Sequence, residues 1–541
     1  MNQLNNEKLL EEIEILKVKN DMLLKRNEEL EQLLHLFKTK VFGSKKENLI
    51  PEVAPNQLSF FDNVELTDEV KKEIDELKKE LTIGSKAVKK NKKTGLTKKA
   101  LKEATEENIV SEIKGAKCPQ CGEELKYMAQ QVGNKEVVFI PASFKIINHI
   151  SQTYKCPCCG TKNDNNTYIV KTTTKKLPIS SSLGSSSIIT DVIYQKFLQG
   201  VPLYRQELVW KDRGVILQRN TMANWVISSC DYYFKPLHEL MLKEIKKCNV
   251  LHADETTIQV NKEENKKASS NSYMWVLASG KDEKIKSVVF NYYNNRSSNT
   301  AEQLLTDFKN NLITDGYASY NNIKAKNHGG CWSHARRYFF ESIPNIDNKP
   351  DENSDGYIGV LLCNKLFELE RKMEVLKTDE EKLEFRNKYH KKTVNNFYEY
   401  VEKTSLKPTN SKKLNKALTY AINQKEKLTT FLKDINIPLT NNLAERSIRP
   451  FAVHRKNWLF ADTVGGANAN AILYTLIESC KLNQVNTRKY INYLLDVLPQ
   501  IDELNEDILK DYLPYSTKLP TELYNLDDNE DCEPKEIEPM N

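Results

Sequence analysis

The first 42 residues place apolar side chains at alternating spacings of four and three, which is the pattern of a coiled-coil seam. The seam runs from Leu9 to Val41, and Glu and Lys crowd its flanks. Asn20 and Asn27 share one heptad position, where buried amides favour a parallel, in-register pair. We therefore predict a coiled-coil helix over 1–42 that forms a homodimer or higher oligomer. The alternative is an amphipathic helix that packs on its own chain.

The hydrophobic pattern lapses between residues 43 and 115, where lysines cluster around Gly and Thr. This composition predicts a basic flexible linker. Its positive charge could neutralise DNA phosphates without reading their sequence, although a merely solvated linker has the same composition.

Helical periodicity returns after residue 186. A helix at 202–210, a turn at Gly214 and a polar-capped helix from Asn220 form the outline of a helix-turn-helix. We interpret 176–245 as a helical region that binds DNA in this way. A helical spacer is the alternative, because many helix pairs share the pattern.

The chain then changes to apolar, β-branched runs that predict three strands, a helix and a fourth strand. These elements span 249–260, 272–278, 287–293, 299–310 and 311–315. Their order is that of a ribonuclease-H-like sheet with the first strand central. Asp254 and Asp315 then occupy neighbouring strand positions, whereas the two-residue period of a strand turns Glu255 to the opposite face.

A third carboxylate, Glu445, lies on a predicted short helix. Three carboxylates suffice to hold two Mg²⁺ (or Mn²⁺) ions about 3.5–4 Å apart, which neutralise the attacking and leaving oxygens of a phosphodiester. We therefore predict that Asp254, Asp315 and Glu445 meet around metal ions. Each has a plainer interpretation, since a strand-end Asp often caps a turn and residues 442–445 fit a helix capping box.

Cationic and aromatic residues flank these carboxylates and are candidate DNA contacts, although such residues are also common on ordinary surfaces. Arg449 lies one helical turn from Glu445 and could share its face. Trp332 could stack on an unpaired base, and His334 could touch phosphate or be a packed or capping histidine. The predicted DNA-binding residues are Trp332, His334, Arg336, Arg337, Arg446, Arg449, Arg455 and Lys456.

Two Cys-x-x-Cys-Gly knuckles, at 118–122 and 156–160, are the strongest local signal. Each knuckle aims two sulfurs at one point, and four tetrahedral thiolates suit Zn²⁺. A β-hairpin of 136–141 and 144–154 would bring the pairs together. We predict a structural zinc site within 116–175, with Cys158 as a spare thiol that could compete with its neighbour. The ligands are Cys118, Cys121, Cys156 and Cys159.

Length, charge and the distribution of apolar residues limit the class of protein that this chain can be. At 541 residues the chain is long enough for three or four units. The formal net charge of +6 is mild, so the local clusters of charge carry the information. The sequence has neither a secretion signal nor an apolar run of about 18 residues, which predicts a cytoplasmic protein that does not enter a membrane.

The predicted fold class is a multidomain chain of α+β and α/β units. It joins the coiled-coil helix, the small zinc-binding β unit and the helical region to a ribonuclease-H-like α/β catalytic domain at 246–340 and 438–500. Helices of mixed charge at 341–437 predict an insertion that braces DNA or a partner subunit, or is a solvated spacer. Residues 501–541 are predicted to form an acidic tail, disordered from residue 521 onward.

Five motifs, taken in order, resemble the large transposase of the insertion sequence 66 family. They lie at 252–256, 314–320, 331–337, 441–450 and 455–460. The resemblance extends over nearly the whole chain, because the cysteine knuckles and residues 202–206 also match that family. The chain departs from the family at Ser44-Lys-Lys, which lies outside the predicted metal site.

The resemblance implies a bacterial, DNA-associated DDE transposase in which Asp254, Asp315 and Glu445 are the metal-binding triad. Such an enzyme binds the terminal repeats of its transposon, cuts there with activated water, and joins a 3′-hydroxyl to target DNA. Small accessory proteins are further candidate partners. Two alternatives stay open: a zinc-dependent DNA-binding protein or repressor with an inert sheet, and a ribonuclease-H-like nuclease that does not join strands.

The cysteine pattern leads to a direct prediction. Metal analysis of the purified protein should find bound zinc, because four thiolates at knuckle spacing bind it tightly. Purified protein that contains no zinc would contradict the assignment.

Overall fold

The computed structural model describes residues 144–155, 169–180, 182–346 and 349–524. The predicted coiled coil, the basic linker and all four cysteines of the predicted zinc site lie outside these residues. The described part is a mixed α/β fold in which helices pack on a central sheet. Within it, no helix combines the length and the apolar character needed to cross a membrane.

A short antiparallel strand pair and four helices precede the sheet. Their bounds are β1 (Thr153–Lys155), β2 (Ile169–Lys171), α1 (Ser186–Phe197), α2 (Leu203–Asp212), α3 (Arg219–Ser229) and α4 (Lys235–Ile245). The pairing of β1 with β2 differs from the predicted hairpin. Of the strand predicted at 144–154, only the last two residues adopt strand conformation, and their partner lies beyond the second cysteine knuckle.

The central sheet contains the predicted strands in the predicted order. Its first elements are β3 (Val250–Lys262), β4 (Asn271–Ser279), β5 (Val288–Tyr293), α5 (Ser298–Leu304), β6 (Asn311–Ile313) and β7 (Asn327–Gly329). The strand order is β5-β4-β3-β6-β7, so β3 is central. It pairs antiparallel with β4 and parallel with β6. The first four residues of β3 are all buried, and three of them are apolar, as expected for a strand that is covered on both faces.

Helices form most of the chain between β7 and the last strand. The first is α6 (Trp332–Glu341), and the short strand pair β8 (Asn345–Ile346) and β9 (Lys349–Pro350) follows it. The later helices are α7 (Asp355–Met373), α8 (Asp379–Phe385), α9 (Lys391–Ser405), α10 (Lys412–Asn423), α11 (Lys425–Thr429) and α12 (Asn442–Trp458). The segment from α7 to α11 is therefore inserted between the elements that carry Asp315 and Glu445.

The C-terminal elements close the fold around the sheet. They are β10 (Phe460–Thr463), α13 (Val464–Leu482), α14 (Thr487–Val497) and α15 (Glu506–Leu509). Thr463 caps α13 by accepting a hydrogen bond from the Gly466 N–H. Helix α13 lies across β5, and α14 packs on α1. The helices before the sheet thus share one hydrophobic core with the sheet and with the C-terminal helices.

The folded part of the chain extends beyond the boundary predicted at residue 500. Leucines in 501–524 are buried in the main core, so this stretch is not a tail as predicted. The Tyr490 hydroxyl also donates to the Tyr512 carbonyl oxygen at 2.6 Å. The buried leucines are Leu509, Leu513, Leu519 and Leu523.

A buried arginine joins the inserted helices to one another and to the chain that leads out of the insertion. Arg386, only 1% exposed, donates through Nη1 to the carbonyl oxygens of Phe431 and Ile437 and pairs through Nη2 with Glu370 at 2.9 Å. A buried guanidinium is stable only when its donors are used in this way. These bonds fix the chain that leads from the insertion towards α12.

The contact between α6 and α7 predicts a sharp difference between two glycines. A Cβ at Gly359 would overlap the Phe339 ring, whereas a Cβ at Gly465 would have no neighbour closer than 3.8 Å. Gly359→Ala should therefore lower the free energy of unfolding by about 1–3 kcal/mol through overpacking. Gly465→Ala should leave it unchanged or raise it by up to ~1 kcal/mol. Urea denaturation followed by tryptophan fluorescence measures both, and equal midpoints would contradict the close packing.

Candidate active site

Neighbouring strands bring Asp254 and Asp315 to the same level of the sheet. In the parallel pair of β3 and β6, His252 is opposite Ile313, and each aspartate lies two residues further along its chain. Asp254 Oδ1 accepts the Glu255 N–H at 2.8 Å. Asp315 Oδ1 accepts the Tyr317 N–H at 2.9 Å, so it also closes the turn after β6. Asp315 therefore closes a turn and also lies at the level of Asp254.

Glu445 reaches the same region from the first turn of α12. The N-cap of this helix is Asn441, and its side chain makes no capping hydrogen bond. Glu445 is therefore the fourth residue of the helix rather than the third, and the capping-box interpretation is wrong for this site. Its carboxylate therefore does not cap the helix and instead lines the cleft.

Asn441 fixes the start of α12 and was missed as a functional residue. Its Nδ2 donates to the Ala253 carbonyl oxygen at 2.8 Å, and its Oδ1 lies 3.1 Å from His252 Nδ1. Its backbone N–H donates to Cys331 Sγ at 3.2 Å. Asn441 is fully buried, so these bonds are made without competition from water. The only sequence signal was an Asn-Asn pair before a helix, which is typical of caps in general.

Asp254 and Glu445 line one open cleft of about 300 Å³. Helix α6 contributes His334 and Arg337 to its wall, and α12 contributes Arg449. Cations from two helices thus surround carboxylates from a strand and a helix. This combination is suited to a divalent cation together with a phosphate group.

The electrostatics of Asp254 point to a missing positive charge. Burial raises its pKa well above the ordinary value, and the charges of Glu255, Asp315 and Glu445 raise it further. Both other members of the predicted triad are therefore close enough to repel it. Within the described part of the chain no ion pair involves Asp254. A divalent cation with oxygen ligands would relieve this repulsion, so the donor set fits such an ion.

Glu255 is excluded from that role, as the strand period predicted. Arg296 forms an ion pair with its carboxylate, and the Tyr320 hydroxyl donates to it. Burial raises the pKa of Glu255, and these two partners oppose the shift. Arg296 in turn lies 3.5 Å from the Tyr317 ring centroid, which supports the loop after Asp315.

His334 lies against the carboxylate of the predicted triad. Its Nδ1 is 3.5 Å from Glu445 Oε1, and Cys331 Sγ is 4.0 Å from the same oxygen. The ligand atoms of these three residues all lie within 4.8 Å of one another. His334 thus borders the cleft, where it can orient Glu445, and its contact with DNA stays a prediction.

Two of the predicted DNA contacts lie elsewhere. Trp332 is fully buried against Phe397, and its Nε1 donates to the Leu428 carbonyl oxygen at 2.8 Å. The prediction that it stacks on an unpaired base is therefore wrong, because its faces are covered by the insertion. Arg336 Nε donates to Asn364 Oδ1 at 2.6 Å, which turns it towards α7.

The remaining predicted cations lie along α12. Arg446, Arg449 and Lys456 are exposed. Arg455 is half-buried, and its Nη1 donates to the Thr257 hydroxyl at 2.9 Å. A cation that the sequence did not single out is Lys427 of the insertion, which interacts with the charge of Asp315.

Two family models match the chain. Residues 181–469 match the family model of the transposase IS66 family, and residues 116–160 match that of the zinc-finger binding domain of transposase IS66. The second range contains all four predicted zinc ligands.

Relatives and one solved structure are also similar. Uncharacterized protein y4qI of Sinorhizobium fredii is 28% identical over 338 residues, which are 60% of this chain and 61% of that protein. Uncharacterized protein y4hP of the same organism is 26% identical over 74% of this chain and 73% of its own length. The Drosophila P element transposase strand transfer complex is 13% identical, covers 56% of this chain and 81% of its own, and has a TM-score of 0.22. At that score it does not establish a shared fold.

The molecule is thus a mixed α/β protein with an acidic cleft bordered by cations. Because the first family match covers more than half of the chain, this protein belongs to the IS66 family of transposases.

The bonds of Asn441 predict how the cleft responds to substitution. Asn441→Ala should lower the free energy of unfolding by about 1–3 kcal/mol, because buried partners at His252 and Ala253 lose their hydrogen bonds. Asn442→Ala is the matched control, since its side chain is half-buried and only one position away. Chemical denaturation of both variants measures the difference. Equal losses of unfolding free energy in the two variants would show that the hydrogen bonds of Asn441 do not stabilise the fold.

Proposed function

We propose that this protein is a DNA transposase in which Asp254, Asp315 and Glu445 hold divalent metal ions. The observation that supports the proposal most is that the charges of Asp315 and Glu445, which are far apart in the sequence, both reach Asp254. Asp254 and Glu445 line one cleft, and both Asp315 and Glu445 raise the pKa of Asp254. The strand order with β3 central supports a ribonuclease-H-like catalytic domain.

The residues of the cleft have distinct roles in this proposal. Bound Mg²⁺ or Mn²⁺ ions, two in number, would supply charge neutralisation at the attacking and leaving oxygens. Asp254 presents ligand oxygens from β3, Asp315 from the turn after β6, and Glu445 from α12. His334 orients the Glu445 carboxylate, and Asn441 sets the start of its helix. Arg337 and Arg449 hold the phosphate group in the cleft.

The proposed substrate is double-stranded DNA, at transposon ends and in a target. Exposed Arg446, Arg449 and Lys456 along α12 provide cations next to the cleft, which suits a polyanion. Water attacks the phosphodiester at the element end, and the released 3′-hydroxyl then attacks target DNA. The predicted coiled coil would bring two copies to the two ends of one element.

We further propose that Cys118, Cys121, Cys156 and Cys159 hold a structural zinc ion. The match of residues 116–160 to a zinc-finger domain supports this. A zinc-dependent DNA-binding protein or repressor with an inert sheet is the alternative. The half-buried Asp254 and Glu445 in one cleft favour the enzyme, because an inert scaffold gains nothing from their repulsion.

Neutral variants of the triad test the proposal. Asp254→Asn, Asp315→Asn and Glu445→Gln should each reduce cleavage of a duplex that carries the element's end by at least ~100-fold, because loss of an outer-sphere partner alone costs about 10–100-fold. Binding to the same duplex should persist, since the phosphate-binding cations remain. Asp282→Asn, at an exposed position outside the cleft, is the control.

The assay also separates the alternatives. Cleavage by Asp254→Asn at the parent rate would refute the triad. Mg²⁺-independent binding without strand breakage by the parent would favour the repressor. Cut ends that are never joined to target DNA would favour a nuclease.

A further inference from the structure

A second cavity, of about 410 Å³, lies between α6 and the inserted helix α10. Its volume is in the range of about 300–1,000 Å³ that small ligands occupy. The residues that shape it include Tyr338, Lys412, Asn415, Lys416, Tyr420 and Asn423. Neither the predicted DNA contacts nor the family match assigns a role to it. We call it the α10 pocket.

The chemistry of the α10 pocket suits a nucleotide. Lys412 and Lys416 are exposed, and none of its lining residues is acidic. The whole stretch 407–425 contains five lysines and no Asp or Glu. Lys416 Nζ lies 4.6 Å from the Tyr338 ring centroid, so an ammonium group is held beside an aromatic face. The phosphate of a nucleotide binds a cation such as a lysine ammonium group. Its base or sugar contacts aromatic rings and amide groups.

The α10 pocket adjoins the acidic cleft. Arg337 lines the cleft, and the next residue, Tyr338, lines the pocket. Tyr420 packs so closely on Gly316, next to Asp315, that a Cβ there would lie 2.7 Å from its ring. Gln424 Nε2 lies 3.5 Å from the Gly316 carbonyl oxygen. Tyr420 and Gln424 of the pocket therefore contact the residue that follows Asp315.

Buried polar atoms in the α10 pocket lack a partner. Among the described residues, neither Tyr420 Oη nor Gln424 Oε1 has a hydrogen bond, although both are shielded from solvent. A buried polar atom without a partner costs about 1–3 kcal/mol. Because both atoms are closed to solvent, a ligand reaches them only when the Tyr420 and Gln424 side chains turn into the pocket.

We propose that the α10 pocket binds one nucleotide of the DNA strand next to the phosphate that is cut. This proposal rests on the proposed function and assigns the insertion to substrate binding. Lys412 and Lys416 contact the phosphate of that nucleotide. Tyr338, Tyr420 and the amides of Asn415 and Asn423 contact its sugar or base.

The first test compares two pairs of lysines in the full-length protein. Lys412→Gln with Lys416→Gln should weaken binding to a duplex that carries the element's end by ~10-fold, and should lower the slope of log affinity against log salt by about 1, because one phosphate contact is lost. Lys413→Gln with Lys433→Gln is the control, because both lysines are exposed and neither lines the pocket. It removes the same charge and should change affinity by no more than ~2-fold. All four are surface positions, so folding should be intact by circular dichroism.

The second test locates the phosphate. Methylphosphonate substitution at single positions near the cut should weaken binding of the parent at one position within a few nucleotides of the cleaved bond. The same substitution should have no further effect on the Lys412→Gln, Lys416→Gln variant, because the contact is already lost. Additive losses at every position would overturn the proposal, as would equal salt slopes for the two double variants.

These outcomes are separable from failure of the proposed function. If the lysine variant binds like its control while Asp254→Asn has lost cleavage, the α10 pocket proposal is wrong and the transposase stands. If Asp254→Asn cleaves normally but the phosphate interference depends on the two lysines, the pocket binds DNA and the assignment of the triad is wrong.

Discussion

The geometry of the acidic cleft depends on the buried hydrogen bonds of Asn441. Its side chain joins α12 to the strand that carries Asp254, and its backbone N–H joins α12 to Cys331 at the start of α6. Carboxylates on a helix and a strand repel each other at short range, and the repulsion grows as water is excluded. A helix end held by several buried bonds can withstand that repulsion, whereas a solvated helix end would move away. The fold thereby keeps Glu445 beside Asp254.

The central strand separates two carboxylates that differ by one position in the sequence. Glu255 lies against Arg296 and Tyr320, which satisfy it within the protein. Asp254 faces the cleft, where burial and then the charges of Glu255, Asp315 and Glu445 raise its pKa. A fully partnered carboxylate strengthens the sheet, and a repelled one has a high affinity for a cation. Because side chains alternate along a strand, the adjacent residues Asp254 and Glu255 face opposite sides of the sheet and have these two different roles.

The inserted helices take part in the site rather than extending away from it. Arg386 binds the chain that leads back to α12, and Trp332 and Phe339 of α6 pack on the insertion. On the other side, Tyr420 packs on the glycine after Asp315. The insertion therefore contacts the neighbourhood of two triad members. Nearly a hundred residues therefore lie between Asp315 and Glu445 in sequence while the charges of both still reach Asp254.

The sequence by itself determined the central strands, the candidate carboxylates and the turning of Glu255 to the opposite face, because β-branched runs and their two-residue period are local signals. The tertiary structure alone decided the role of Asn441, since an asparagine before a helix is equally suited to capping. It also decided that Trp332 is core, because a tryptophan in an amphipathic segment can pack or stack. Likewise the leucines of 501–524 are too sparse for a periodic signal, and their burial depends on helices far away in the chain. Side chains whose partners are distant in sequence acquire their function only when the chain has folded.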